Sequence, residues 1–345
     1  MALSQKIFRF SANIYNHTTI TQSNLIDFFG CLNRFFRLLF LPMSPTVKQM
    51  KYLCAVAEYK HFSKAAASCH VTQSTLSAAI AELETQLGVK IFERNKKSVL
   101  ITPLGEKLLI QARKILGEIE DFKSLARAHE EALSGDLRLG VIPTIGPFLL
   151  PPILSDLRKH YSKLKLYLKE EMSAELLQQL QQGQLDLIVL AFPFALPDME
   201  TVSLFKDEFL LCLPPGHQLE KLDQVKQSQL RGENLLLLEE GHCLRDHALE
   251  ACKLDLADAE LVYQGTSLHT LVQMVANGLG ITLLPAISIG ADVLGDTHLQ
   301  LKHFSNENVS REIGMAWRKS DPRKEDYLLL AEFIKKQAKK LGISA

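Results

Sequence analysis

No segment of this 345-residue chain offers the roughly twenty uncharged apolar residues that a membrane helix needs. The closest approach, Phe35 to Leu41, is short and interrupted by Arg37, and no small-residue cleavage site follows it. A cytoplasmic location is therefore expected, with no membrane partner. Cysteine is scarce: Cys31, Cys54, Cys69, Cys212, Cys243 and Cys252 are scattered along the chain, unlike the dense spacing of a secreted disulfide scaffold. Charge of neither sign prevails, with 39 Lys and Arg against 39 Asp and Glu. Any signal for nucleic acid must then be local. His242 and His247 lie close to Cys243, but no C-x-x-C or paired-histidine spacing supports a metal site. No G-x-x-x-x-G-K phosphate loop is present either, and no cofactor or metal is expected.

The length suggests two or three domains, and 47% hydrophobic residues suffice for packed cores. Residues 1–42 have aromatic clusters without a clear period, and Met43 stands just before patterned sequence begins. This extension has two open readings: an upstream start, or a partner-binding or membrane-surface segment built on Phe35, Phe36, Leu38, Leu39 and Phe40.

From Pro45 the apolar spacing turns helical through Met50, Leu53, Cys54 and Ala57, with a break at Lys60 and His61. A helix-turn-helix follows. Ser63 is expected to cap a helix holding Ala65, Ala66 and Ala67, whose small side chains let a second helix cross closely, and Thr72 to cap the next. In that second helix Leu76, Ile80, Leu83 and Leu87 form the expected buried face. Gln73, Ser74, Thr75 and Ser77 lie at its start, where short polar side chains can reach phosphates and base edges. A solvated helix face is the bland alternative.

Gly88 ends this helix, and Lys90 to Thr102 reads as two short strands around a basic turn, a wing carrying Arg94, Lys96 and Lys97. Between Ser44 and Ile101 stand eight cations (positions 48, 51, 60, 64, 90, 94, 96 and 97) against four acids (58, 82, 84 and 93). The local balance is thus positive and favours the DNA reading. Pro103 opens a long helix whose apolar positions Leu104, Leu108, Ala112, Ile115, Ile119, Phe122, Ala126 and His129 step mostly by three and four, a seam suited to pairing two chains. Beyond Gly135, strand-like runs at Leu164 to Leu168, Leu185 to Leu190, Phe209 to Leu213, Leu235 to Leu238 and Ile281 to Leu284 alternate with helical stretches. That pattern indicates an α/β sheet in two lobes. The expected organisation is an extension (1–42), a winged helix-turn-helix (43–102), a dimerising linker helix (103–134) and a two-lobed α/β domain (135–345).

A thiolate rather than a thiol is the nucleophile, so a reactive cysteine needs neighbours that lower its pKa. Cys243 opens a helical stretch running to Ala251, with His242 before it and Arg245 after it, and a helix start favours negative charge. Glu239, Glu240 and Asp246 act in the opposite sense. The spacing from Cys243 to Cys252, taken alone, favours coincidence or two buried small hydrophobes. Cys54, Cys69 and Cys212, in apolar patterns, read as core.

Phe62 to Leu109 (FSKAAASCHVTQSTLSAAIAELETQLGVKIFERNKKSVLITPLGEKLL) closely resembles the DNA-binding domain of LysR-type transcription regulators, from the paired alanines to the Phe-Glu-Arg wing. The stretches Ile142 to Pro151, Leu235 to Cys252 and Thr266 to Pro285 resemble the peroxide-sensing members of that family. The resemblance runs from about Pro45 to the end. It implies a regulator rather than an enzyme, with linker-paired dimers, tetramers as a larger form, and a regulatory domain of periplasmic-binding-protein type. Its expected partners are double-stranded operator DNA, further copies of the chain and RNA polymerase. It implies that Cys243 is the peroxide-reactive thiol and Cys252 its disulfide partner, with Thr144, His242, Arg245 and Arg311 around them. Ser173 stands where the family has a threonine. Two rivals stay open: a regulator answering a small effector in the interlobe crevice, and a thiol peroxidase.

Overall fold

The computed structural model describes residues 44–95, 98–127, 132–253, 264–306 and 309–342. The extension 1–42, Lys96, Lys97, His129 and the side chains of Arg94 and Ala126 lie outside the described residues. The chain divides into two compact units after Leu109.

In the first unit, α1 (Val47–Tyr59) opens on a capping box in which Thr46 and Gln49 satisfy each other's free N–H groups. Helices α2 (Phe62–Ser68) and α3 (Gln73–Leu87) form the helix-turn-helix, with Ala65 and Ala66 buried where they cross. Thr72 caps α3 through the Thr75 N–H. Ser63 is not a cap: the extended His61 places its ring where Nδ1 accepts the Ser63 N–H. Leu76, Ile80 and Leu83 are buried, but Leu87 is 38% exposed because it is the last residue before Gly88 turns the chain away. Strands β1 (Phe92–Asn95) and β2 (Ser98–Ile101) pair antiparallel as the wing.

Glu84 ties the wing to α3. Its buried carboxylate accepts the N–H groups of Ile91 and Phe92 at 2.9 and 3.1 Å and meets Lys90 Nζ at 3.0 Å. Burial works against this charge, but the donors outweigh it and hold the carboxyl below its ordinary pKa. The carboxylate therefore stabilises this unit above the ordinary glutamate range, and that contribution is lost as pH falls through the lowered folded-state value. Glu84→Ala leaves two buried N–H groups without a partner and should cost about 1–3 kcal/mol in urea unfolding of this unit. An unchanged unfolding midpoint would remove Glu84 from this role.

The long helix α4 (Pro103–Arg127) follows. Leu104, Ile115 and Phe122 along its seam are exposed, Phe122 at 74%, whereas Ala112 is buried within the chain. Further along, Gly117 meets Gly183 so closely that a Cβ at Gly117 would lie 3.0 Å from the Gly183 Cα. Arg113 donates to Gln182 Oε1 nearby at 3.1 Å.

The second unit is a two-lobed α/β structure. Its first lobe has β3 (Gly135–Val141) between β4 (Leu164–Glu170) and β5 (Leu187–Phe192), all parallel, followed by antiparallel β12 (Ser310–Arg318) and the first part of β6 (Met199–Leu213). Helices α5 (Gly146–His160), α6 (Ser173–Gln181) and α10 (Lys324–Lys340) belong to this lobe. Strand β6 then continues into the second lobe. There it pairs with β10 (Ile281–Pro285), which is followed by parallel β8 (Leu235–Leu238) and β9 (Gln264–Gly265). Strand β11 (Gln300–Phe304) pairs with the same end of β6 and with β7 (Gln224–Val225). Helices α7 (Cys243–Cys252), α8 (Leu268–Ala276) and α9 (Ala286–Gly290) complete the second lobe.

The expected strand Phe209 to Leu213 is thus only the last third of β6; its first residues alternate with solvent and lack an apolar run. Strand β5 begins at Leu187 rather than Leu185. Asp186 before it turns its carboxylate to the backbone and guanidinium of Arg138, ending the preceding turn. Cys212 is core, as expected, but Cys54 and Cys69 are only partly buried, Cys69 because it is the C-cap of α2. No described helix is long and apolar enough to cross a membrane.

Candidate functional site

The site is built where the lobes meet. Gly241, in the left-handed region at φ 97°, releases the chain from β8 into α7, whose N-cap is His242 and whose first residue is Cys243. The other lobe supplies Thr144, just after β3, and Ser173, the first residue of α6. Arg311 on β12 lies beneath. Its Nε and Nη2 donate to Asp207 Oδ2 at 3.0 and 2.9 Å, Nη1 donates to Thr144 Oγ1 at 2.9 Å, and Nη2 donates to the Thr144 carbonyl at 3.0 Å. This cation, 2% exposed, is held fixed and has no freedom to leave the site.

Cys243 is half-buried and lines a narrow recess with Thr144, Ser173 and His242. Burial raises its pKa, but a hydrogen bond with His247, the charge of Arg311, a hydrogen bond with Ser173 and the charge of His247 together lower it below the ordinary thiol value. Cys252 ends the same helix, is 1% exposed, and is pushed up by burial to about 12. Cys212 is likewise pushed up to about 12. Both of these thiols are protonated at neutral pH, while Cys243 is poised to ionise. Brief alkylation of the native protein near neutral pH should therefore label Cys243 faster than Cys212 or Cys252 by at least on the order of tenfold. Peptide mapping of the adduct checks this, and equal labelling of the three thiols contradicts it.

The structure places Thr144, Ser173, His242, Cys243 and Arg311 together. Arg245 is buried, but its Nη1 lies 3.7 Å from Glu240 Oε1, so the cation acting on the thiol is Arg311. Burial lowers the pKa of His242 against the pull of Glu239, which keeps its ring neutral. Sequence reasoning passed over His247 as a thiol partner. The signal was present as helical spacing, since positions 243 and 247 share one face of α7. It also passed over Asp207, which sits mid-strand in β6 and is linked to Arg311 only through the fold. At the start of α3, Gln73, Ser74 and Thr75 are exposed and Ser77 half-buried, with Gln73 accepting from Ser63 Oγ at 3.3 Å. Among the described residues no cluster of three or more His, Cys, Asp or Glu side chains could hold a metal.

The recess adjoins a crevice of about 260 Å³ between the lobes, with Glu170, Glu239, His242 and His269 in its wall. Burial raises the Glu170 carboxyl above its ordinary pKa. His269 is exposed and stacks on Phe148 with ring centroids 5.8 Å apart.

A helix-turn-helix reader and a two-lobed α/β unit with an activated thiol between its lobes define a transcription regulator whose regulatory unit receives a signal. The chain belongs to the LysR family of bacterial regulators: residues 47–106 match the bacterial regulatory helix-turn-helix protein, lysR family, and residues 130–339 the LysR substrate binding domain. It is 41% identical to the DNA-binding transcriptional dual regulator OxyR of Escherichia coli K12, over 84% of this chain and 94% of that protein. It is 38% identical to the HTH-type transcriptional regulator EstR of Acinetobacter baylyi, over 85% of this chain and 97% of that one. Among solved structures it resembles a full-length OxyR variant from Pseudomonas aeruginosa, with TM-score 0.70, 35% identity, and 84% of this chain and 94% of that one covered. It also resembles a cysteine-to-serine variant of Corynebacterium glutamicum OxyR with hydrogen peroxide bound, with TM-score 0.60, 32% identity, and 88% and 97% covered.

Proposed function

We propose that this protein is a peroxide-sensing transcription regulator that binds operator DNA as a homo-oligomer and switches by forming a Cys243–Cys252 disulfide. The carrying observation is the setting of Cys243, a half-buried thiol in a narrow recess with Thr144, Ser173 and His242, whose pKa is lowered by His247, Arg311 and Ser173. The thiolate attacks peroxide and becomes a sulfenic acid. Cys252 condenses with it, releasing water and forming the disulfide. The α3 start and the wing read DNA, the α4 seam pairs two chains so that two half-sites are bound together, and RNA polymerase receives the output. Pairing of dimers into tetramers extends this assembly. Cellular thiol reductants reset the switch in the cytoplasm.

Overall similarity alone does not select the signal, since EstR lies nearly as close as OxyR. The site does. The thiol beside the interlobe crevice is activated by His247, Arg311 and Ser173, a setting that a regulator answering only a bound effector does not need. Thiol mapping by mass spectrometry after brief, mild peroxide is the direct test. A Cys243–Cys252 linked peptide is expected; an unmodified Cys243 overturns the reading.

A further inference from the structure

We propose that His247 is the catalytic base and acid of the sensing reaction, taking the proton from the Cys243 thiol and returning it to the hydroxide that leaves when peroxide is cleaved. This deepens the proposed function and rests on Cys243 being the thiol that meets peroxide.

The assignment follows from the tautomer. His247 Nε2 lies 3.1 Å from the Pro193 carbonyl oxygen. A carbonyl can only accept, so Nε2 carries the hydrogen, and in the neutral ring Nδ1 is left as a bare lone pair. That atom is buried and has no conventional hydrogen-bond partner. With Nε2 committed to Pro193, the interaction between this ring and the Cys243 sulfur falls to Nδ1. Helical spacing puts the two side chains one turn apart on the same face of α7. A buried lone pair facing a thiol is a proton acceptor in place.

The other groups around the sulfur cannot fill this role. Arg311, a guanidinium held by Asp207 and Thr144, only stabilises the charge. Ser173 Oγ, a hydroxyl in the same recess, favours the thiolate but is too weak a base to hold its proton. His242 Nε2 is also buried without a partner, but His242 is not among the groups acting on the sulfur, and burial lowers its pKa and so disfavours the protonated ring that a base must become. The charged groups facing His247 are the Cys243 thiolate on its own helix and Arg311 on β12, while β8, also packed against α7, presents four buried leucines. Burial and Arg311 disfavour a charged ring, but the thiolate and the Pro193 carbonyl outweigh them and raise the imidazole pKa.

The step balances. The proton passes from sulfur to Nδ1, the thiolate attacks one peroxide oxygen, the S–O bond forms as the O–O bond breaks, and the departing hydroxide takes the Nδ1 proton. The thiol and hydrogen peroxide become a sulfenic acid and water, with sulfur oxidised by two electrons and peroxide reduced.

His247→Gln is the test, because the amide can still donate to Pro193 but cannot hold a proton. Rates of Cys243 alkylation and of sulfenic acid formation from hydrogen peroxide are measured on the full chain from about pH 5.5 to 9. In the wild type, alkylation should persist to lower pH than an ordinary thiol allows. In the variant it should be lower by roughly tenfold or more at neutral pH and climb towards the wild-type rate in alkali. The peroxide rate should fall further than the alkylation rate, since alkylation needs no proton for a leaving hydroxide. Superimposable wild-type and variant profiles overturn the inference while leaving the sensing thiol intact; a wild-type Cys243 that ignores peroxide overturns the proposed function instead. Should the variant misfold, histidine NMR on Cys243→Ser decides. Loss of the thiolate should lower the His247 pKa, and an unmoved titration overturns the pairing.

Discussion

Cells carrying Cys243→Ser are expected to lose the transcriptional response to peroxide altogether, while the purified protein still binds DNA. Serine matches cysteine in size, so the hydrogen bonds offered by Ser173 and His247 find an oxygen in place of sulfur, and the fold at the start of α7 is kept. Its hydroxyl does not ionise at neutral pH and has no accessible higher oxidation state, so the chemistry stops. The DNA-reading surface of α3 and the wing belongs to the other unit and is untouched. Cys212→Ala removes a fully buried sulfur from β6 and should act through packing alone, at about 1–2 kcal/mol. Cys54→Ala and Cys69→Ala, at partly exposed positions, should have smaller effects. Reporter transcription with and without peroxide, beside DNA binding of the purified variants, separates these cases. An intact response in Cys243→Ser cells would end the thiol-switch reading.

The second large effect expected is the opening of α7 on oxidation. Cys243 and Cys252 are the two ends of one continuous helix. Nine steps of about 1.5 Å separate their Cα atoms by about 13 Å, whereas a disulfide tolerates no more than about 7 Å. The bond therefore cannot form on the reduced fold, and part of Leu244 to Ala251 must unwind. Leu244, Ala248 and Leu249 are buried against the second lobe, so unwinding frees apolar side chains that must repack, which supplies the two alternative arrangements a switch requires. Hydrogen exchange across Leu244 to Ala251 should rise markedly in oxidised protein, with altered protection where chains meet. Exchange in this segment that is indifferent to a formed disulfide would exclude refolding as the output.

Much of this was legible in the residues. The helix-turn-helix followed from small alanines, a Thr72 cap and a four-three step of apolar residues, all local signals. The buried strands β8 and β10 were visible because β8 is apolar throughout and β10 is interrupted only by Thr282. What stayed hidden depends on distant partners. Ser63 satisfies the sequence rule for a cap, but His61 has the longer reach and takes the position. The first two thirds of β6 escaped notice because their side chains alternate into solvent. The site divides the same way. Cys243 and its helix start were readable, and the motif resemblance named Thr144, Ser173 and Arg311. The force balance on the thiol was not, because it depends on which cation approaches: Arg245, two residues away in the chain, turns to Glu240, and Arg311, far along it, does the work.

Strand β12 also determines how the chain must be made. The first lobe is interrupted: β5 ends at Phe192, yet its antiparallel neighbour begins only at Ser310, after the whole second lobe. On the ribosome, at ~5–20 residues per second, the free edge of β5 waits on the order of ten seconds for its partner. During that interval β3, β4 and β5 form a partial sheet with an apolar open edge, the kind of surface on which nascent chains associate wrongly. Chaperone dependence during synthesis should accordingly concentrate on the regulatory unit, and a stop codon before Ser310 yields a product that cannot close its first sheet.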